Sequence, residues 1–143
     1  HLFSYAHLPV IADDSGLVVE ALNGEPGIYS ARFAGEDATD EENVNLLIEK
    51  MQDKTNRTAH FHCSLVYVSE NYINNPIIVE SKWRGVISNK KVGNYGFGYD
   101  PVFFLPNFNK TAAELSSIEK NKISHRGQAM ELLINELQSN KLI

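Results

Sequence analysis

The sequence predicts an α/β fold in which helices pack on a mixed, elongated β-sheet. Three observations support this class: a capped amphipathic helix at residues 39–52, strict alternation of apolar and polar side chains at 58–69, and a second strand pattern at 77–83. Turn-rich segments join the strand patterns, so neighbouring strands can pair as hairpins while helices cover the sheet. At 143 residues the chain has the length of one domain.

The first predicted elements are two short strands that flank an acidic segment. Residues 9–12 and 17–22 are apolar runs, and Asp13, Asp14 and Ser15 lie between them. One interpretation is an Asp-Ser-Gly turn that closes a hairpin. The other is a functional site, because adjacent carboxylates repel each other and their burial is costly without a cation or hydrogen-bond donors. Such a pair could bind a metal or supply a catalytic base.

Residues 39–52 are the first predicted helix. Thr39 and Glu42 have the spacing of a capping box, in which each side chain accepts a hydrogen bond from the other residue's backbone N–H. The apolar residues that follow have helical spacing: Val44, Leu47, Ile48 and Met51. We therefore expect an amphipathic helix that packs this stripe on the sheet.

Residues 58–69 are a predicted strand with one apolar and one polar face. The apolar face carries Ala59, Phe61, Cys63, Leu65 and Tyr67. His60 and His62 share the polar face and could suggest a metal pair, but no third ligand has suitable spacing, which favours a polar sheet surface. Cys63 is interpreted as a small core residue. A further strand at 77–83 follows, and Gly85 suggests a bend or bulge where that strand continues.

Residues 93–104 are predicted to form a loop that runs into a short strand. Gly96 and Gly98 allow tight bends or close approach to a ligand. Phe97 and Tyr99 supply flat faces on which a planar base could stack, worth about 1–3 kcal/mol. Asp100 precedes a proline, which holds it extended with its carboxylate available as an acceptor. The alternative is a turn whose aromatic side chains only fill the core.

The C-terminal part is predicted to be mainly helical. Residues 111–114 and 116–119 both have capping-box spacing, and Ser124 has the position of an N-cap. The apolar stripe of the last helix consists of Met130, Leu133, Ile134 and Leu137.

Three basic residues in this region are candidates for ligand contacts. His125 and Arg126 begin the last helix, where cations are unfavourable by about 0.3–1 kcal/mol. Either their side chains bend away into water, or this helix end, with its free N–H groups, binds an anion or a carbonyl oxygen. Lys120 lies in a charged helical stretch, where a lysine is usually solvated.

Composition excludes several classes of function. The net charge of −5 argues against nucleic-acid binding, which normally needs a basic face. No apolar run approaches the roughly 20 residues that cross a bilayer, and no signal-peptide pattern is present. Cys63 is the single cysteine, so no intrachain disulfide is possible, which fits a reducing cytoplasm. Residues 2–6 have the pattern of the end of a helix.

Several segments together resemble the bacterial branch of the inosine triphosphate pyrophosphatase family. They are ADDSGL at 12–17, GEPGIYSARFAG at 24–35, FHC at 61–63, GFGYDPVFF at 96–104, TAAEL at 111–115 and SHRGQA at 124–129. They occur in the order of the family and extend over nearly the whole chain. No single motif is decisive, but the set is specific.

The resemblance implies hydrolysis of the non-standard purine nucleotides ITP, dITP and XTP to the monophosphate and pyrophosphate. It also implies Mg²⁺ as cofactor, a homodimer, and two lobes with the nucleotide in the cleft between them. Asp14 matches the catalytic base and a metal ligand of the family, with Asp13 as a supporting metal ligand. The substrate contacts implied by the match are Ser15, Phe97, Gly98, Tyr99, Asp100, Lys120, His125 and Arg126.

The family pattern also opens with a strand, a Ser/Thr-x-Asn-x-x-Lys phosphate loop and a helix with an acidic metal ligand, which do not match any part of this sequence. We therefore expect residues 1–143 to be a single pyrophosphatase domain that lacks this N-terminal strand, the loop and part of the helix. One alternative is a non-catalytic nucleotide-binding or dimerisation fragment. Another is a related pyrophosphatase for modified pyrimidine nucleotides, against which the Ser124-His125-Arg126 helix start argues.

Overall fold

The computed structural model describes residues 4–5 and 8–143. Ser4 and Tyr5 are helical, and the other positions of the helix end predicted at 2–6 lie outside the described residues. The strands are β1 Val10–Val19, β2 Thr58–Val68, β3 Ile77–Ile87, β4 Phe103–Leu105 and β5 Lys110–Thr111. The α-helices are α1 Asp40–Lys50, α2 Ser117–Ile123 and α3 His125–Ser139. Short 3-10 turns, among them Glu20–Leu22 and Gly27–Arg32, connect these elements.

The five strands form one sheet in the order β1-β2-β3-β4-β5. Each of these pairings is antiparallel, so the described strands supply no parallel component to the mixed sheet that we expected. Helix α3 packs across β2 and β3. The predicted α/β class, a sheet with helices packed on it, is confirmed.

The prediction of two short strands is wrong, and so is the interpretation of the acidic segment between them as a hairpin turn, because β1 is one continuous strand. It pairs with β2 without interruption, from Val10 opposite Val68 to Val19 opposite Ala59. This long ladder satisfies the backbone groups and outweighs the local turn preference of an Asp-Ser-Gly sequence. A Cβ atom at Gly16 would lie 2.4 Å from the carbonyl oxygen of Gly27, so the glycine permits close packing rather than a turn.

The alternation predicted for residues 58–69 is confirmed, and it defines two faces of the sheet. The core face carries buried side chains from β2, β1 and β3, including Phe61, Leu17 and Trp83. Cys63 is fully buried, as predicted. The opposite face, which we call the outer face, carries the partly exposed His60 and His62.

The expected bulge at Gly85 is absent from β3, since Gly85 pairs in register with Ala59. A Cβ atom at Gly85 would lie 2.7 Å from the ring of Phe103, so the missing side chain makes room for that ring. Phe103 is fully buried and packs against Phe61 and Trp83 at ring-centroid distances of 4.6 and 5.3 Å.

The predicted helix caps are confirmed. Both hydrogen bonds of the capping box are present at Thr39 and Glu42 and at Ser116 and Glu119. At Thr111, the Glu114 carboxylate accepts the Thr111 N–H at 2.7 Å, while the Thr111 hydroxyl donates to the carbonyl of Val92 at 2.8 Å. Ser124 ends α2 and also caps α3, where its Oγ accepts from the N–H of Gly127 at 3.2 Å. One residue therefore separates the two helices, and it brings the end of α2 against the start of α3.

The predicted stripe on α3 is partly wrong. Leu133 and Leu137 are buried, but Met130 and Ile134 are 42% and 40% exposed. The buried positions instead repeat every four residues: His125, Ala129, Leu133 and Leu137. The sheet covers only a narrow line along α3, so helix positions to either side of that line stay in solvent.

Within residues 4–5 and 8–143, no helix combines the length and the apolar character that crossing a bilayer requires.

Candidate active site

A cavity of about 200 Å³ opens between β1, the turn Gly27–Arg32, the loop at 96–100 and the junction of α2 with α3. All the residues predicted as substrate contacts line it: Ser15, Phe97, Gly98, Tyr99, Asp100, Lys120, His125 and Arg126. A second cavity of about 520 Å³ adjoins it and shares Phe97, Lys120, His125 and Arg126. The tertiary structure therefore gathers residues from three distant parts of the chain around one cleft.

The loop at 96–100 separates its two aromatic residues into different environments. Phe97 is 61% exposed at the cavity, whereas Tyr99 is 4% exposed and donates its hydroxyl to the carbonyl oxygen of Ser30 at 2.7 Å. Burial raises the pKa of Tyr99. The core-filling interpretation therefore holds for Tyr99, while Phe97 presents a ring to any ligand in the cleft.

Asp100 organises this loop from within. Its side chain is buried, forms an ion pair with Lys120, and accepts the backbone N–H of Phe97 at 2.9 Å. A Cβ atom at Gly96 would overlap the Asp100 carboxylate, so the acid requires the glycine beside it. Lys120 is thus not a solvated lysine: only 14% of its side chain is exposed, and its ammonium lies 4.6 Å from the centroid of the Phe97 ring.

His125 lines the cleft with a buried imidazole ring that carries one unsatisfied polar atom. Its ring stacks on Phe61 at 4.8 Å and 12°, and it is 5% exposed. Burial, followed by the positive charges of Arg126 and Lys120, lowers the pKa of His125 to about 4. The imidazole is therefore neutral at pH 7, and its buried Nδ1 has no hydrogen-bond partner in the described structure.

Arg126 lies at the mouth of the cleft in a bidentate ion pair. Its Nε and Nη2 donate to the two carboxylate oxygens of Asp13 at 2.9 and 3.1 Å, and Ser15 Oγ donates to the same carboxylate at 3.1 Å. The hydrogen bonds from Arg126 lower the pKa of Asp13, and the pairing raises the pKa of Arg126. The guanidinium carbon also lies 5.4 Å from the Phe97 ring centroid.

The structure does not bring Asp14 together with Asp13. Successive side chains of a strand point to opposite faces, so Asp14 lies on the outer face, opposite Ser64 in β2. The side chain of Asp14 is exposed and makes no hydrogen bond or ion pair with the described residues. The expectation that the two carboxylates gather one metal ion therefore does not match this geometry, because Asp13 is committed to Arg126 on the core face.

The described residues provide part of a metal site at most. In residues 4–5 and 8–143, no three His, Cys, Asp or Glu side chains are grouped as metal ligands. Magnesium in nucleotide enzymes is typically held by one or two carboxylates together with substrate phosphates and water. The uncommitted carboxylate of Asp14 fits that pattern as a single protein ligand, and the paired carboxylate of Asp13 does not.

Sequence reasoning missed several residues that line the cleft: Gly16, Ser30, Ala31, Asp40 and Phe61. Ser30 Oγ accepts the N–H of Leu17 at 2.8 Å and donates to the carbonyl of Gly27, which ties the turn Gly27–Arg32 to β1. Asp40 Oδ2 accepts the N–H of Gly98 at 2.7 Å. An acidic residue in a first helical turn is ordinary in any sequence, so Asp40 carried no local signal.

The fold and this cleft define an α/β protein with an aromatic and cationic ligand site beside a strand that carries two acidic residues. The Ham1 family model matches residues 1–136, and the chain belongs to the Ham1 family. It is 51% identical to the dITP/XTP pyrophosphatases of Escherichia coli (strain K12) and Shigella flexneri over 141 residues, which are 97% of this chain and 72% of each relative. The predicted family is thereby confirmed.

Solved structures of the family have the same fold. A HAM1 protein from Coxiella burnetii superposes with a TM-score of 0.89 at 44% identity, over 94% of this chain and 69% of the other. The Staphylococcus aureus Ham1 protein superposes with a TM-score of 0.90 at 44% identity, over 96% of this chain and 70% of the other.

Proposed function

We propose that this protein hydrolyses non-standard purine nucleoside triphosphates, namely ITP, dITP and XTP, to the monophosphate and pyrophosphate. The observation that carries the proposal is the cleft: an exposed aromatic ring, a neutral histidine and two cations line one cavity. The cleft belongs to a chain that is 51% identical to proteins named dITP/XTP pyrophosphatase. Removal of such nucleotides from the nucleotide pool is the role we infer.

The purine base is assigned to the Phe97 side of the cleft. Stacking of a base on the exposed ring is worth about 1–3 kcal/mol. His125 Nδ1 has no partner among the described residues, and His125 is the first residue of α3, where helix N–H groups have no intrahelical acceptor. A 6-oxo purine offers an acceptor to donors at this position, whereas the 6-amino group of adenine offers donors. Adenine would leave buried donors unpaired, and such losses discriminate strongly.

The triphosphate is assigned to the β1 side of the cleft. Ser15 and Gly16 of β1 both line the cavity at this point. The neighbouring residue Asp14 lies on the outer face of β1. Phosphates that pass over β1 at this point therefore come within reach of its carboxylate. Arg126, which pairs with Asp13 of β1, and Lys120 also line the cavity, and both attract the negative charge of the nucleotide.

Asp14 is assigned as the general base. Its carboxylate orients a water molecule and takes the proton as the water oxygen bonds to the attacked phosphorus. The bond between the α and β phosphates then breaks, and its electron pair leaves with the departing phosphate oxygen. Mg²⁺, with Asp14 as the protein ligand, would neutralise triphosphate charge and polarise the phosphorus.

Pyrophosphate release from ITP, compared with ATP, tests the proposal. We expect release of pyrophosphate from ITP at a kcat/KM at least 100-fold above that for ATP, a discrimination of about 2.7 kcal/mol. The assay measures pyrophosphate and orthophosphate separately. Equal rates on ITP and ATP, or orthophosphate as the product, would overturn the proposal.

A non-catalytic nucleotide-binding role is the second candidate. The observation that favours it is the outward placement of Asp14, which leaves the cleft itself without an uncommitted carboxylate at β1. Tight ITP binding by calorimetry without any turnover would support this role in place of hydrolysis.

Further elements of the proposed hydrolase function are Mg²⁺ as the metal, a homodimer and a cytoplasmic location. Light scattering checks the dimer directly.

A further inference from the structure

Phe97, whose ring is assigned to base stacking, belongs to the loop at 96–100. Two carboxylates accept hydrogen bonds from consecutive backbone N–H groups of this loop. Asp100 accepts the N–H of Phe97 at 2.9 Å, and Asp40 accepts the N–H of Gly98 at 2.7 Å. Asp100 is part of the loop and moves with it. Asp40 lies 58 positions away in sequence from Gly98, at the first residue of α1.

Helix α1 is a rigid support for this contact. Its N-terminus is closed by the Thr39–Glu42 capping box, which does not involve Asp40. Asn43, 2% exposed, accepts the N–H of Ala34 at 2.8 Å and donates to the carbonyl of Ala31 at 3.1 Å. The start of α1 is thereby attached to the segment that walls the cleft, because Ala31 itself lines the cavity.

The loop needs an external anchor because its own sequence is permissive. Gly96 and Gly98 have φ values of 81° and 57°, and no atom of the described residues outside the loop's immediate neighbours lies within 4 Å of a Cβ position built on Gly98. Glycines at such positions leave the backbone many alternative conformations. Phe97 is exposed, so core packing does not fix its ring.

We propose that Asp40 is a positioning residue that fixes the Phe97 stacking platform through the backbone of Gly98. Its carboxylate does not contact the reacting phosphates. It connects the rigid start of α1 to the flexible centre of the loop, so that a purine base meets a preformed surface. This inference rests on the proposed function, because the purine base that would stack on Phe97 is the substrate assigned there.

Amide hydrogen exchange of Gly98 tests the contact without any ligand. Asp40→Ala removes the acceptor, and we expect Gly98 to exchange about tenfold faster than in the wild type, while Asp40→Asn, which retains an acceptor oxygen, stays within twofold. Glu41→Gln is the matched control: it removes one negative charge from the same helical turn and keeps a hydrogen bond to Lys91 possible. Unchanged exchange at Gly98 in Asp40→Ala would overturn the inference.

Kinetics then tests the consequence for base binding. In Asp40→Ala we expect the KM for ITP to rise about tenfold with kcat within twofold, and Asp40→Asn and Glu41→Gln to resemble the wild type. A merely structural role would lower the thermal midpoint and the active fraction, hence kcat, without a change in KM. Equal KM values in Asp40→Ala and Glu41→Gln, or a loss in Asp40→Asn as large as in Asp40→Ala, would contradict the positioning role.

The two readouts separate failure of this inference from failure of the proposed function. If the wild-type protein does not hydrolyse ITP, the proposed function fails, while Gly98 exchange still decides whether Asp40 holds the loop. If the wild type is active and both readouts of Asp40→Ala match the wild type, only the role of Asp40 fails.

Discussion

At the scale of single residues, the adjacent acids Asp13 and Asp14 differ because a strand turns their side chains to opposite faces. Asp13 accepts two hydrogen bonds from Arg126 on the core face. Both partners are more than one third exposed, so solvent screening limits the contribution of the pair to stability to about 1 kcal/mol or less. Its main effect is geometric, since it orients the guanidinium at the cleft. Asp14 keeps its carboxylate uncommitted.

The role of Asp14 predicts that Asp14→Asn abolishes pyrophosphate release, because the amide cannot take a proton from water. Asp14 is exposed and has no partner among the described residues, so the fold does not depend on it. We expect an unchanged thermal midpoint and retained ITP binding in calorimetry, with turnover reduced at least 1000-fold, about 4 kcal/mol. Activity close to that of the wild type would remove Asp14 from the role of base.

At the scale of elements, the junction of α2 and α3 positions the basic side of the cleft. Ser124 serves both helices, and Gly127 lies so close to α2 that a Cβ atom would overlap the carbonyl oxygen of Asn121 at 1.8 Å. The close approach sets Lys120 against Asp100 and places His125 over Phe61. Backbone packing between two helices thus decides where the site residues lie.

Gly127→Ala tests this packing because helix propensity and steric overlap change the free energy of unfolding in opposite directions. Helix propensity alone would stabilise the variant by about 1 kcal/mol. Overlap with backbone atoms costs about 1–3 kcal/mol or more, since a carbonyl cannot move as a flexible side chain does. We expect net destabilisation in urea unfolding and a loss of ITP hydrolysis. Met130→Ala, at an exposed position of the same helix, is the control, and a stabilised Gly127→Ala would disprove the packing argument.

At the scale of the whole molecule, the buried histidine makes folding stability depend on pH. The folded-state pKa of His125 is lowered from 6.5 to about 4, mainly by burial. Between these values the unfolded chain binds a proton that the folded protein does not, so stability falls as the pH drops from 6.5 to about 4. The shift corresponds to about 3 kcal/mol. Loss of the Asp13 contribution follows at lower pH, because the pKa of Asp13 is lowered.

Urea unfolding between pH 7 and pH 4 checks this dependence. The wild type should lose stability steadily over this range, and His125→Gln, which has no titrating group at this position, should show a much shallower slope. Comparison of slopes, rather than of absolute stabilities, removes the cost of replacing a buried ring. Parallel slopes in the two proteins would show that His125 does not titrate as the structure indicates.

Much of the local structure could be predicted because it depends on neighbouring residues. The capping boxes at Thr39 and Ser116, the N-cap Ser124 and the alternation of β2 are all interactions within a few positions. The error at β1 has the opposite cause: residues 13–16 prefer a turn locally, and their strand conformation comes from pairing with residues 62–65. Likewise, the exposure of Met130 depends on how much of α3 the sheet covers.

The sequence by itself determined the family, the α/β class and the residue types that meet at the cleft, because motif order and short-range periodicity are properties of the chain. Only the tertiary structure decided which partners those residues have. It placed Asp13 on Arg126, turned Asp14 to the outer face, buried Lys120 against Asp100 and brought Asp40 to Gly98. These choices depend on contacts between residues far apart in sequence, which local propensity does not encode.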